Sequence, residues 1–301
     1  MESNKILAIV VTYNRKELLK ENLDALIHQT KNDFDILVID NASSDGTDIL
    51  VKEYKEKYNN IYFHGLAQNV GGAGGFYKGM QIAYEKNYDY AWIMDDDTIP
   101  NATALEELWN VKNNLNNEFS FLNSLVLWTD GTLAHMNVPA VKEFFVYDYQ
   151  NIEKGLIPIE SCSFVSCFVN LNKVKSYGLP ISEFFIYFDD MEYTKRISDA
   201  GNSYLVLSSK VVHKMKTNTG TTAERICEKE KVKRLFYDYR NGFYLAKKKG
   251  FKKTVRYIGK YFYHVFKILF TKNQFKFEKI KYMTKGFVHG IFFNPKIEYI
   301  K

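Results

Sequence analysis

Three consecutive carboxylates, Asp95-Asp96-Asp97, end the apolar run Tyr90–Met94 and so stand where a buried strand would meet a loop. Clustered carboxylates repel one another and resist leaving water, so they persist mainly where a cation neutralises them. Hard divalent ions such as Mg²⁺ and Mn²⁺ prefer oxygen ligands and commonly bridge a few carboxylates to substrate phosphates. Taken alone, the same residues read equally well as a solvated turn, Asp-Asp-Asp-Thr, ahead of a helix cap.

The elements that would position them alternate through the first hundred residues. Lys5–Thr12 reads as a buried strand and Lys16–Gln29 as a helix with Leu18, Leu19, Leu23, Leu26 and Ile27 on one stripe; Asp35–Ile39 reads as a second strand. Asn41 to Gly46 is turn and N-cap chemistry leading into a helix from Thr47 to Tyr58. Ile61–His64 is a third strand, a glycine-rich loop at 69–75 opens a helix to Lys86, and Tyr90–Met94 is a fourth strand. This βαβαβαβ order predicts an α/β fold with a mostly parallel sheet flanked by helices. Ligands of such sheets bind beyond the carboxyl ends of the strands, where Asp40, the 69–75 loop and Asp95–Asp97 all lie. Further on, Asn101–Val111 reads as a helix and Phe121–Trp128 and Phe164–Asn170 as strands. Ile181–Phe188 reads as an aromatic strand or loop, residues 189–200 as a helix stopped by Gly201, and Tyr204–Leu207 with Lys210–Val212 as strands leading to His213.

At 301 residues the chain accommodates one large α/β domain plus an appendage. An apolar fraction of 46% and an aromatic fraction of 16% exclude extended disorder. Three cysteines, Cys162, Cys167 and Cys227, form no disulfide framework and fit a reduced cytosolic setting. The short run Ile6–Val11 is no secretory signal, and no segment has the ~18 apolar residues of a membrane span. A soluble or peripheral protein is expected. Charge is unevenly spread: residues 227–301 hold 20 Lys and Arg against 5 Asp and Glu, leaving 21 against 30 in residues 1–226. Within the basic region Thr254–Phe270 places Val255, Ile258, Phe262, Val265, Phe266 and Leu269 at helical spacing among Lys and Arg. That is a basic amphipathic helix, suited to an anionic membrane surface or to packing on the main domain with its basic face in water.

Val10-Val11-Thr12-Tyr13-Asn14-Arg15, then Val38-Ile39-Asp40-Asn41-Ala42-Ser43-Ser44-Asp45-Gly46-Thr47, then Met94-Asp95-Asp96-Asp97 resembles the nucleotide-sugar half of inverting family 2 glycosyltransferases with a GT-A, Rossmann-like fold. The resemblance spans about residues 5–215. More narrowly, Asn69-Val70-Gly71-Gly72-Ala73-Gly74-Gly75-Phe76, Phe188-Asp189-Asp190-Met191-Glu192 and His213 look like the galactofuranosyltransferase branch, with rhamnosyltransferases as near relatives. The expected organisation is a GT-A domain over 1–226 and a basic, aromatic, mainly helical region over 227–301 that could attach to a membrane surface.

The resemblance implies roles residue by residue. Thr12, Tyr13, Asn14 and Arg15 would contact the nucleotide, Asp40 the uracil or its surroundings, and Asp96 the ribose or sugar. Asp95, Asp97 and His213 would hold Mn²⁺ or Mg²⁺, which neutralises the diphosphate as it departs. On residues alone, Asp40 is also a loop cap, and a His following two valines is first of all a core histidine. Asn69, Gly71, Gly72, Gly74 and Gly75 would line the donor sugar, mobility being the other reason for such glycines. Transfer with inversion needs one carboxylate to take the acceptor's proton, and Asp190 is the candidate; the helix dipole at residues 189–190 favours the ionised form. Asp189 and Glu192 would cap that helix or bind sugar hydroxyls, and all three could be a plain acidic helix start. Trp128, Phe164 and Phe168 would stack on the acceptor or pack in the core.

The function so implied is metal-dependent transfer of galactofuranose from UDP-galactofuranose to a glycan or lipid-linked acceptor in surface polysaccharide synthesis, by an enzyme peripheral to the inner face of the cell membrane. The alternatives are a rhamnosyltransferase using dTDP-rhamnose, another hexosyltransferase, or an inactive nucleotide-sugar or glycan-binding protein. Nucleic-acid binding has no base-reading motif to support it.

Overall fold

The computed structural model describes residues 4–220 and 222–300. The chain forms two compact units, one of residues 1–182, 190–218 and 297–301, the other of residues 183–189 and 219–296.

The larger unit is built on one sheet. In chain order its elements are β1 (Ile6–Thr12), α1 (Lys16–Ile27), β2 (Asp35–Asp40), α2 (Thr47–Lys57), β3 (Ile61–Gly65), α3 (Gly71–Glu85), β4 (Tyr90–Asp95), β5 (Thr98–Pro100) and α4 (Ala104–Asn114). There follow β6 (Phe121–Leu127), β7 (Ala140–Val141), α5 (Tyr149–Glu153), β8 (Leu156–Ser161), β9 (Cys167–Asn170), α6 (Leu171–Tyr177), α7 (Asp189–Ser198) and β10 (Ser203–His213). The strand order is β3-β2-β1-β4-β9-β6-β10-β8-β7, with β5 paired to β10. The half from β3 to β4 is parallel, as the βα alternation requires. Beyond it β9 runs antiparallel to both β4 and β6, while β6 and β10 are parallel.

The central strands are buried on both faces, which explains their unbroken apolar runs. In β1, Ile6, Ala8 and Val10 pack into one core with Leu19 and Leu23 of α1 and Val51 of α2. Leu7, Ile9 and Val11 alternate into the opposite core, with Phe76 and Met80 of α3 and Tyr193 and Ile197 of α7.

Several expected boundaries move. The glycines expected in a loop lie in the first turns of α3, and only Gly71 among them has a positive φ, at 78°. A Cβ on Gly75 would stand 2.6 Å from Val11 Cγ1, and one on Gly79 2.4 Å from Ile9 Cγ2. The glycines at 75 and 79 therefore let the helix lie close on β1. The strand expected over 164–170 is confined to Cys167–Asn170, because Ser166 turns the chain at φ 59°. The two short runs before His213 join into one strand, with a register shift between Val206 and Lys210.

The smaller unit packs α8 (Lys229–Lys248), α9 (Phe251–Phe270) and α10 (Lys276–Phe292) around Val232, Leu235, Tyr239, Tyr261, Ile268 and Met283. A Cβ on Gly286 of α10 would lie 2.2 Å from the Phe236 carbonyl oxygen, so glycine sets the α8–α10 spacing. Among the described residues no helix is long and apolar enough to cross a membrane.

Gly79→Ala forces a methyl group into Ile9 in a filled core and is expected to cost about 1–3 kcal/mol. Gly72, with nothing within 4 Å of its would-be Cβ, should accept alanine at no cost or with a gain of about 0.4–1 kcal/mol. Urea midpoints of the two variants check both.

Candidate functional site

Strand β4 delivers Asp95 at its last position, the chain turns through Asp96 and Asp97, and β5 returns antiparallel against the end of β10, with Thr98 opposite His213. That pairing brings together side chains 116 positions apart: Asp97 Oδ1 and His213 Nε2 are 3.0 Å apart. One ligand atom each from Asp95, Asp97 and His213 lies within 4.8 Å of the others. Asp97 and His213 are buried and Asp95 is half-buried.

The electrostatics of this cluster show what it lacks. Burial, then the neighbouring Asp97, pushes the Asp95 carboxyl up to about 8. Burial likewise lifts Asp96 to about 6, against the pull of Arg15. Burial would raise Asp97 too, but the hydrogen bond and charge of His213, with Arg15, outweigh it and hold Asp97 below its ordinary value. His213 is held above its ordinary value, since Asp97 and Asp95 outweigh the effect of burial on the imidazole. Arg15 Nη1 lies 2.7 Å from Asp97 Oδ2 and 3.2 Å from Asp96 Oδ1, and Thr12 donates to Asp96 Oδ2 at 2.8 Å. Asp95 is thus the carboxylate left short of positive charge. Two carboxylates and an imidazole within reach of one another suit a divalent cation, which would bind Asp95 in its ionised form.

Residues absent from the sequence reading hold this arrangement. His213 Nδ1 lies 2.8 Å from Asn137 Oδ1. An amide oxygen only accepts, so Nδ1 carries a proton, and Nε2, which faces Asp97, is the nitrogen that a cation would take on displacing its proton. Asn137 Nδ2 in turn donates to Ser163 Oγ at 2.9 Å. The neighbouring Cys162 N–H donates to Thr194 Oγ1 at 3.1 Å, and that hydroxyl lies 2.6 Å from the Asp190 carbonyl oxygen. The segment Cys162–Ser163 therefore joins the His213 end of the cluster to the first turn of α7. No local pattern announces Asn137, Ser163 or Thr194, whose partners are 26 to 76 positions away.

Asp190 is half-buried, and burial raises its carboxyl to about 6 although it accepts from the Met191 N–H at 2.7 Å. The helix-start amides favour the ionised form, as expected from the sequence, but desolvation outweighs them. Glu192 is committed to Arg196, with Nε–Oε1 and Nη2–Oε2 both 2.9 Å. Asp189 is buried at the start of α7. The approach to α7 is strained, with Phe185, Tyr187 and Phe188 at φ of 64–69°. Asn241 Nδ2 lies 2.9–3.0 Å from the carbonyl oxygens of Phe184, Ile186 and Tyr187.

Other expected site residues knit the loops beyond β1 and β2. Asp40 Oδ1 accepts from the Ser43 N–H at 3.1 Å, the capping arrangement considered beside its nucleotide role. Asn14, left-handed at φ 51°, accepts from the Ser44 N–H at 2.8 Å. Asn69 accepts from the Gly71 N–H at 2.8 Å and so orders the entry to α3. Tyr13 is exposed, and Gly72 and Gly74 lie in the first turns of α3. Phe164 and Phe168 are core residues: Phe164 packs edge-on to Phe76 and Tyr193, and Phe168 stacks on Tyr90. Trp128 is half-buried and donates to the Met215 carbonyl oxygen at 2.9 Å.

The sheet and the acidic turn after β4 are those of the GT-A fold, and solved structures agree. Residues 1–349 of Staphylococcus aureus TarS, crystallised with UDP-GlcNAc, superpose with a TM-score of 0.55 at 15% identity, over 96% of this chain and 72% of that one. A Pyrobaculum calidifontis mannosyltransferase, solved with GDP-Man and Mn²⁺, gives a TM-score of 0.54 at 15% identity, over 95% of this chain and 72% of that one. Residues 7–166 match the glycosyl transferase family 2 model, so the chain belongs to that family. It is also 26% identical over 266 residues to the galactofuranosyltransferase GlfT1 of Mycolicibacterium smegmatis, covering 83% of this chain and 85% of that protein.

A divalent cation binding at Asp95, Asp97 and His213 predicts that Asp97→Asn abolishes Mn²⁺ binding in isothermal titration calorimetry. Asn137→Ala, which frees the His213 ring to turn, should weaken it about 10–100-fold.

Proposed function

We propose that this family 2 glycosyltransferase moves galactofuranose from UDP-galactofuranose, with inversion, onto a glycan or lipid-linked acceptor in surface polysaccharide synthesis. The observation that carries the reading is the convergence of Asp95, Asp97 and His213 in a cluster hydrogen-bonded, through Asn137 and the segment Cys162–Ser163, to the turn of α7 that bears Asp190. The likeness to a mycobacterial-type galactofuranosyltransferase along most of both chains supports the choice of sugar.

In this reading Asp95, Asp97 and His213 hold Mn²⁺ or Mg²⁺, which supplies positive charge to the donor's diphosphate. Arg15, paired with Asp96 and Asp97 and half-exposed, is placed to add a second positive charge on the same side. Thr12, Tyr13, Asn14 and Asp40 form the nucleotide end, and the exposed Tyr13 ring offers a stacking face for the base. Asp96 faces the ribose, while Asn69, Gly71, Gly72, Gly74 and Gly75 border the donor sugar. Asp189 and Glu192 support the helix start beside it.

Asp190 takes the proton of the acceptor hydroxyl as that oxygen forms a bond to the anomeric carbon. The bond from the anomeric carbon to the diphosphate breaks on the opposite face, and the nucleoside diphosphate leaves with the electron pair. A carboxyl raised to about 6 is ionised at neutral pH and more basic than an ordinary aspartate, which suits it to this task. The acceptor is taken to be lipid-linked at the cytoplasmic leaflet, with residues 227–301 as the attachment region.

Because the base must be ionised, kcat/KM should be flat above neutrality and fall about tenfold per pH unit once the pH drops below about 6. Asp190→Asn should lower kcat on the order of 10²–10⁴-fold while donor binding persists; undiminished transfer would remove Asp190 from the mechanism. A panel of UDP-galactofuranose, dTDP-rhamnose, UDP-GlcNAc and GDP-mannose, with Mn²⁺ or Mg²⁺ and with EDTA, identifies the donor. Product from UDP-galactofuranose alone, lost with EDTA, is expected.

A further inference from the structure

Helix α9 carries more apolar surface than its own unit covers. Its buried side holds Tyr261 and Ile268: Tyr261 stacks on Phe287 of α10 at 4.3 Å and bonds to Thr284 at 2.8 Å. Yet Phe251, Val255, Phe262, Phe266 and Leu269 are 44–83% exposed. At about 100° of rotation per residue these five fall in one arc of roughly 60°, centred about 115° from the packed side. On the other flank of the exposed stripe Lys252 and Arg256 lie about 75° and 115° from its centre, while Lys253 and Lys260 lie on the side of the helix roughly opposite the stripe. The helix thus has a packed side, an apolar stripe in water and a basic remainder that also carries the exposed Tyr263 and Phe270, and its 20 residues contain no Asp or Glu.

A contiguous outward apolar stripe on a helix signals a binding surface, because scattered exposure would not follow the helical period. The flanking charge selects the occupant. A second copy of this helix, having no Asp or Glu, would offer Lys252 and Arg256 no anionic partner, whereas an anionic lipid leaflet accepts phenylalanine rings below the headgroups and basic side chains among them. We propose that the Phe251–Leu269 stripe of α9 inserts into the headgroup region of an anionic bilayer, with Lys252 and Arg256 reaching sideways to lipid phosphates. This gives the membrane attachment suggested above a defined face, and it rests on that reading only for the choice of leaflet.

The test is co-sedimentation of the full chain with phosphatidylcholine vesicles, with and without one-third phosphatidylglycerol, at about 0.1 M and about 0.5 M salt. Expected is binding to the anionic vesicles that weakens at high salt. Phe262→Ser with Phe266→Ser should lower the affinity by about tenfold or more. Lys252→Gln and Arg256→Gln together should reduce the preference for phosphatidylglycerol. Circular dichroism and transfer to a water-soluble acceptor confirm that each variant is folded. Absence of vesicle binding, or equal binding by the Phe262/Phe266 variant, would overturn the proposal. So would a dimer in sedimentation velocity that the same variant dissolves without any vesicle binding. Intact vesicle binding by a chain that transfers no sugar would instead count against the proposed function and leave this surface standing.

Discussion

Mutual repulsion among Asp95, Asp96 and Asp97 is the constraint around which the larger unit is organised. A strand end buried on both faces cannot hold three charges unless positive groups arrive from elsewhere. They come from two directions: Arg15 from the loop after β1, and His213 from the end of β10 through its pairing with β5. The answer is incomplete at Asp95, whose carboxyl burial and Asp97 still raise to about 8.

The polar chain from His213 to Asn137 and Ser163, and the neighbouring one from Cys162 to Thr194, turn a charge cluster into a site. Each link is a short side-chain bond among buried or half-buried groups, where an unmade bond costs more than a made one contributes. The Asp95–Asp97–His213 cluster and the first turn of α7 are thereby held by one segment of chain, Cys162–Ser166, whose turn is pinned by Trp92 Nε1 to Ser166 Oγ at 2.9 Å. Burial raises the Asp190 carboxyl to about 6 against the amides of the helix start.

The smaller unit follows a different logic. Its helices pack through aromatic rings and through glycines that admit close backbone approach, as at Gly286. Its most amphipathic helix still presents phenylalanines to water. Composition alone made this region basic and aromatic; only the packing of Tyr261 and Ile268 shows that the exposed stripe is a separate face.

Periodicity and order made the parallel half legible: short unbroken apolar runs alternating with helical segments fit strands buried on both faces, and the stripe of α1 fits a helix packed on such a sheet. The acidic turn stood out because three carboxylates end an apolar run, although on residues alone it read equally well as a solvated turn. The mixed half was not, because β9 inserts between β4 and β6 by long-range pairing that leaves no local mark. The glycine-rich stretch was misread as a loop because a sequence cannot show that Val11 and Ile9 lie within 3 Å of where a Cβ would be. By itself, then, the sequence determined the elements up to β4, the acidic cluster and the basic character of residues 227–301, all of them local properties of composition and period. Tertiary structure decided that His213 faces Asp97, that Asn137 orients it and that Asp190 is desolvated, because each depends on residues distant in the chain meeting where water is excluded.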